Sequence, residues 1–145
     1  MFFPVMGQAL TPDNTLLLPL GIESSTSDRL SGDVEEQSAR IQQAIESSHK
    51  VFALGLYDEI RLCYTAPEFQ QDLESRTVHL GLDVFGRAGT PIFAPLDGTF
   101  VTVHDNAQDQ DYGPTLILQH KDLSGESFFT LYGHLDPECI ELWQP

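Results

Sequence analysis

Basic residues and cysteines are both scarce in this chain. Seven Lys and Arg stand against 22 Asp and Glu among 145 residues, which gives a formal net charge of −15. An acidic surface of this kind repels nucleic-acid phosphates and anionic lipids, so we expect neither nucleic acid nor membrane as a partner. The two cysteines, Cys63 and Cys139, form no Cys-x-x-Cys motif, and such sparse cysteine is typical of a reduced, cytosolic protein.

Long apolar runs are also lacking. No Lys or Arg precedes Arg29, and Pro4, Pro12 and Pro19 interrupt each apolar segment near the N-terminus. A secretory signal needs a basic start followed by an unbroken apolar core, and a membrane helix needs about 20 apolar residues. The sequence therefore predicts a cytoplasmic protein.

The pattern that is present predicts one helix followed by many strands. Residues 33–50 repeat apolar side chains at helical spacing, and Ser31 or Asp33 can cap the N-terminus of this helix. From Thr77 onward, short apolar segments alternate with Gly, Pro and Asp turns, which is typical of β-structure. The predicted strands are 16–18, 78–85, 91–94, 98–104, 115–120 and 127–132.

These elements predict a mainly β (α+β) fold in which an antiparallel sheet follows one N-terminal helix. A Leu-Gly-Leu sequence at residues 54–56 is interpreted as a turn, and residues 105–113 as a polar loop. An acidic segment before Ser75 suggests a domain boundary there. We therefore expect an N-terminal arm, helix and connecting segment at 1–75 and a β domain at 76–145.

The most informative stretch is His79-Leu80-Gly81-Leu82-Asp83. In an extended segment, residues 79, 81 and 83 point to the same face, so an imidazole and a carboxylate can converge across the small Gly81. Imidazole and carboxylate together suit Zn²⁺. The alternative is a surface His and Asp on an ordinary strand, which simply hydrogen-bond each other.

The residues that follow resemble the lysostaphin/LytM-type zinc endopeptidases, the murein endopeptidase family. In that family H-x-G-x-D is followed by a Gly-Thr-Pro turn, a strand and Ala-x-x-Asp-Gly, and this chain has the same order up to Gly98. Tyr112-Gly113, the strand at 115–120 and the block Tyr132-Gly133-His134-Leu135 resemble the later motifs. The resemblance implies an antiparallel β module of the lysostaphin-like, duplicated hybrid motif type.

The resemblance also implies roles for single residues. His79 and Asp83 would be zinc ligands, His134 a catalytic histidine, and the substrate a peptide. The family's final His-x-His motif, which supplies a third ligand and a second histidine, does not occur in this chain. We therefore expect a C-terminally truncated module with an incomplete site. Residues 57–76 also resemble the segment before this module in large fused kinase-like/aminotransferase proteins.

Other histidines and two tyrosines are candidates for the same site. His120 is a candidate third ligand, although a strand-end histidine bonded to backbone or solvent is the favoured interpretation. His104 is interpreted as a solvated residue, and His49 as the end of the helix. Tyr112 and Tyr132 would either line the cleft or pack as strand aromatics.

Two other functions remain open from sequence. One is a non-catalytic β scaffold or small-ligand binding module. The other is a biotinyl or lipoyl carrier, which shares the Ala-Pro-Leu-Asp-Gly turn; it is disfavoured because Lys121, the nearby lysine, lacks apolar neighbours. Missing final strands would leave unpaired sheet edges, so we expect homo-oligomers that form through those edges.

Overall fold

A computed structural model describes residues 2–25, 33–61, 78–107 and 111–142. Within these ranges the chain is mainly β, as the sequence predicts. Its elements in chain order are β1 (Thr15–Leu17), α1 (Val34–Ser47), β2 (Phe52–Gly55), β3 (Glu59–Ile60), β4 (Val78–His79), β5 (Asp83–Phe85), β6 (Gly98–Asn106), β7 (Gly113–Lys121), β8 (Ser127–Tyr132) and α2 (Glu138–Leu142).

The chain divides into two compact units. One is Leu10–Thr90, and the other combines Met1–Ala9 with Pro91–Pro145. The boundary predicted near Ser75 lies outside the described residues and stays a prediction. No helix in the described ranges combines the length and apolar character needed to cross a membrane.

The predicted helix is confirmed as α1, with Asp33 as its N-cap. The Asp33 carboxylate accepts a hydrogen bond from the Glu36 N–H at 2.9 Å, which satisfies one of the free amides of the first turn. The helix ends earlier than predicted, at Ser47, because His49 adopts a left-handed conformation with φ 57°. His49 therefore lies just beyond the helix end and is exposed.

The apolar face of α1 packs on a small core in the same unit. Ile41 and Ile45 of the helix contact Leu18, Leu20 and Ala53, and all five side chains are buried. β2, to which Ala53 belongs, extends from Phe52 to Gly55, so residues 54 and 55 lie in a strand. The predicted turn at 54–56 is therefore wrong. Tertiary pairing overrides the local Gly signal here.

The sheet of this unit has the order β1-β2-β5. β2 and β5 are antiparallel, whereas β1 and β2 are parallel, so the sheet of this unit is mixed. Parallel neighbours need a long crossover connection, and α1 lies between β1 and β2 in the chain.

The single strand predicted at 78–85 is two strands that belong to different sheets. β4 pairs with β3, whereas β5 pairs with β2. Residues 80–82 connect them without strand structure. This change of sheet bends the chain between His79 and Asp83.

The second unit is built on an antiparallel meander with the order β6-β7-β8. β6 pairs along its length with β7, with a register shift between Phe100 and Thr102, and β7 pairs with β8 from Leu116 to Lys121. These three strands and the turn between Lys121 and Ser127 confirm the predicted hairpin. The strand predicted at 91–94 is absent; there the Phe93 N–H donates to the Val5 carbonyl at 2.8 Å. The helix α2, which contacts β6 and β7, was not predicted.

Candidate functional site

His79 and Asp83 lie close together where β4 ends and β5 begins. The Nε2 atom of His79 is 3.4 Å from Oδ1 of Asp83, and the two side chains are 14% and 28% exposed. The bend between the two strands brings the imidazole and the carboxylate together.

Gly81 provides the space for this approach. A Cβ atom placed on Gly81 would lie 3.1 Å from His79 Nε2 and 3.3 Å from its Cε1. Real Cβ contacts are rarely this tight, so any side chain at position 81 would push the ring away from its present position. Steric contact with the His79 ring thus explains why the middle position of the motif is a glycine.

The environment favours the neutral form of His79. Burial lowers the pKa of the imidazole below its usual value, and the nearby positive charge of Arg61 acts in the same direction. The carboxylate of Asp83 opposes this shift without reversing it. A neutral imidazole can bind a metal through its unprotonated nitrogen, so the lowered pKa of His79 favours the form that binds metal.

Two buried residues that the His79–Asp83 motif does not include, Glu59 and Arg61, belong to the same cluster. Arg61 donates from Nη1 to Oδ2 of Asp83 at 2.5 Å, and from Nη2 to Oε2 of Glu59 at 2.7 Å. Arg61 is only 4% exposed and Glu59 only 8%. The sequence carries a faint signal for this pair, because Glu59-Ile60-Arg61 places both charges on the same side of a short strand.

The pair of donors fits a zinc ion. Two ligands about 2.0–2.1 Å from a tetrahedral zinc lie about 3.3–3.4 Å from each other, and the Nε2 to Oδ1 distance in this chain is 3.4 Å. A complete catalytic site needs three protein ligands. In the described ranges, no group of three or more His, Cys, Asp and Glu side chains is placed to hold a metal ion.

His134 lies in the other unit, immediately after β8. It adopts a left-handed backbone conformation with φ 54°, and its N–H donates to the Tyr112 carbonyl at 2.6 Å. The Tyr112 side chain packs closely on Gly133, where an added Cβ would meet it at 3.0 Å, and its ring centroid is 6.4 Å from that of His134. Tyr112 therefore fixes the backbone and neighbourhood of His134. Tyr132 is half-buried at the end of β8.

His120 is held by neighbours in the second unit. It is 1% exposed, with Nδ1 3.1 Å from the Asp97 carbonyl and Nε2 2.8 Å from the Thr130 hydroxyl. A carbonyl only accepts, so Nδ1 donates to Asp97, and in the neutral ring Nε2 accepts from Thr130. Both nitrogens are thus engaged, which confirms the favoured interpretation of a strand histidine bonded to the backbone. His104 is exposed on β6, as expected.

No curated protein and no solved structure matches this chain significantly. The model of peptidase family M23 matches residues 77–141. That segment contains His79, Asp83 and His134, whereas Glu59 and Arg61 precede it. The match supports a peptidase-family domain in this part of the chain.

Proposed function

We propose that residues 77–141 form a zinc-dependent peptidase module that hydrolyses peptide bonds. His79 and Asp83 are the zinc ligands in this proposal, and His134 is the catalytic histidine. The observation that carries it is the 3.4 Å separation of His79 Nε2 and Asp83 Oδ1 within a segment that matches peptidase family M23. The same match favours a peptidase over a non-catalytic scaffold.

Each ligand is prepared for its role by its surroundings. Burial lowers the pKa of His79 and so favours its neutral form, and Gly81 leaves room for Nε2 beside the carboxylate. Asp83 binds Arg61 through Oδ2 and directs Oδ1 toward His79. When bound, zinc lowers the pKa of a water molecule to about 7 and polarises a carbonyl group.

His134 would stabilise the charge that develops on the carbonyl oxygen of the scissile peptide. A ring N–H that donates to this oxygen lowers the barrier most when it is fixed beforehand. The His134 N–H donates to the Tyr112 carbonyl at 2.6 Å, so the backbone that carries the ring is held in place. The proposal also requires a third zinc ligand, which a rearranged side chain or a second chain would supply.

A peptidase assay tests this function. The zinc-loaded protein is incubated with a mixed peptide library, and new peptide termini are counted by mass spectrometry. We expect cleavage that a chelator abolishes, that added zinc restores, and that His134→Ala reduces by at least about 100-fold, within the range typical of lost acid–base or oxyanion groups. His104→Ala, which removes an exposed histidine, is the matched control and should retain full activity. Cleavage that persists in His134→Ala would contradict the role of this residue.

A further inference from the structure

Glu59 is fixed at both carboxylate oxygens. Its Oε1 accepts a hydrogen bond from the Leu20 N–H at 2.8 Å. Its Oε2 accepts from Nε and Nη2 of Arg61, at 3.1 and 2.7 Å. A buried carboxylate with both oxygens engaged in charge-assisted or backbone hydrogen bonds has little freedom to move. Glu59 therefore anchors the guanidinium group of Arg61.

Arg61 transmits this anchoring to Asp83. With Nε and Nη2 bound to Glu59, the planar guanidinium directs Nη1 to Oδ2 of Asp83 at 2.5 Å. That contact defines the rotation of the Asp83 carboxylate and leaves Oδ1 directed toward His79 Nε2. Only Arg provides a rigid fork that can join two carboxylates in this way.

The strand opposite Asp83 is adapted to this arrangement. Gly55 on β2 is the register partner of Asp83. A Cβ atom at Gly55 would lie 3.0 Å from Arg61 Nη2, 3.2 Å from Asp83 Cβ and 3.3 Å from Asp83 Oδ2. A larger residue at position 55 would therefore separate the guanidinium from the carboxylate.

We propose that Arg61, anchored by Glu59, is a positioning residue that fixes the Asp83 carboxylate for metal binding. This inference rests on the proposed zinc site at His79 and Asp83. It extends that site to two residues upstream of the segment that matches the M23 family. Outer partners of this kind orient a metal ligand without touching the ion.

Positioning and simple electrostatics predict opposite effects of removing Arg61. The guanidinium is positively charged and repels a divalent cation, so on charge alone its loss would tighten zinc binding. If Arg61 positions Asp83, its loss leaves the carboxylate free to rotate and weakens binding. Loss of an outer partner of a metal ligand typically reduces affinity about 10- to 100-fold.

The experiment measures zinc affinity by calorimetry on the metal-stripped 145-residue chain, alongside Co²⁺ absorption spectra that report ligand geometry. Arg61→Gln should bind zinc about 10- to 100-fold more weakly than the parent and alter the cobalt spectrum. Arg87→Gln removes the same charge from an exposed side chain of the same unit. This control should match the parent. Circular dichroism establishes that each variant is folded.

Gly55→Ala provides a second test, because it keeps every charged group and both proposed zinc ligands, His79 and Asp83. Its added methyl group should displace Arg61 from Asp83 and weaken zinc binding in the same direction. Gly21→Ala is the control, because its Cβ would meet neighbours no closer than 3.6 Å. Unchanged or tighter binding in folded Arg61→Gln or Gly55→Ala, with a parent that binds zinc, overturns the positioning role alone. A parent that binds no zinc overturns both this inference and the proposed function.

Discussion

Gly98 is predicted to contribute to stability because a side chain at this position would clash with the buried ring of His120. A Cβ atom at Gly98 would lie 2.8 Å from both Cε1 and Nδ1 of His120, and 3.0 Å from the Gln119 carbonyl oxygen. The ring cannot retreat easily, since it stacks on Phe128 with a centroid distance of 5.1 Å and binds Asp97 and Thr130. Gly98→Ala must therefore displace the ring or the strand.

The cost follows from the contacts that the displaced ring loses. Two hydrogen bonds contribute about 2 kcal/mol in total, and an off-rotamer side chain adds about 0.5–1.5 kcal/mol. The lower entropy of the unfolded chain with Ala offsets about 0.4–1 kcal/mol, because Gly98 has no left-handed φ. We expect Gly98→Ala to lower the free energy of unfolding by about 1.5–3 kcal/mol.

Urea denaturation followed by circular dichroism measures this loss. Gly21→Ala, whose methyl group would make only ordinary van der Waals contacts at 3.6 Å or more, is the control and should be neutral or slightly stabilising. The His120→Ala background removes the two ring atoms nearest to the new methyl group but leaves the Gln119 carbonyl oxygen, so Gly98→Ala should cost less there than in the parent. Equal losses with and without the His120 ring would refute this reasoning.

Three further outcomes are expected. Ile45→Ala should lower the free energy of unfolding, measured by urea denaturation, by about 2–5 kcal/mol because the side chain is buried. Val34→Ala, at an exposed position of the same helix, should change it little. Equal losses in the two variants would contradict the described core. The Ser124 hydroxyl and the backbone N–H groups of the hairpin turn lower the pKa of Asp122. The stability that these hydrogen bonds give to the turn is therefore present above the usual pKa of Asp. It is lost as the pH falls through the lowered pKa of Asp122. An NMR titration checks this, and Ser124→Ala should raise the pKa; an Asp122 pKa of about 3.9 or higher in the parent would be evidence against it. We expect light scattering after size exclusion to show self-association through the outer strands β6 and β8. Phe129→Lys, at an exposed position of β8, should reduce this self-association. A compact monomer of the parent protein would rule it out.

The elements that local sequence determines were predictable. Asp33 before an apolar helical period fixes the start of α1, and the turn after Lys121 fixes the β7-β8 hairpin. The alternation of apolar residues predicted β6, β7 and β8. These strands pair with their neighbours in sequence, so a local pattern is sufficient to identify them.

Long-range pairing determined the features that the sequence did not reveal. The stretch from Val78 to Phe85 has the pattern of one strand, yet its halves pair with β3 and β2, which lie far upstream. The same pairing gives Asp83 its neighbours Arg61 and Gly55. Spacing predicted that His79 and Asp83 converge. It did not reveal Arg61, because a charged residue on a short upstream strand has no local signal for a partner 22 positions away.

Zinc calorimetry on the metal-stripped chain, with His79→Ala and Asp83→Asn beside the parent, tests the central claim most directly. The account predicts one zinc ion per site, bound tightly by the parent and lost in both variants, while His104→Ala binds as the parent does. Weak binding that neither substitution changes would contradict the zinc site and, with it, the proposed peptidase chemistry.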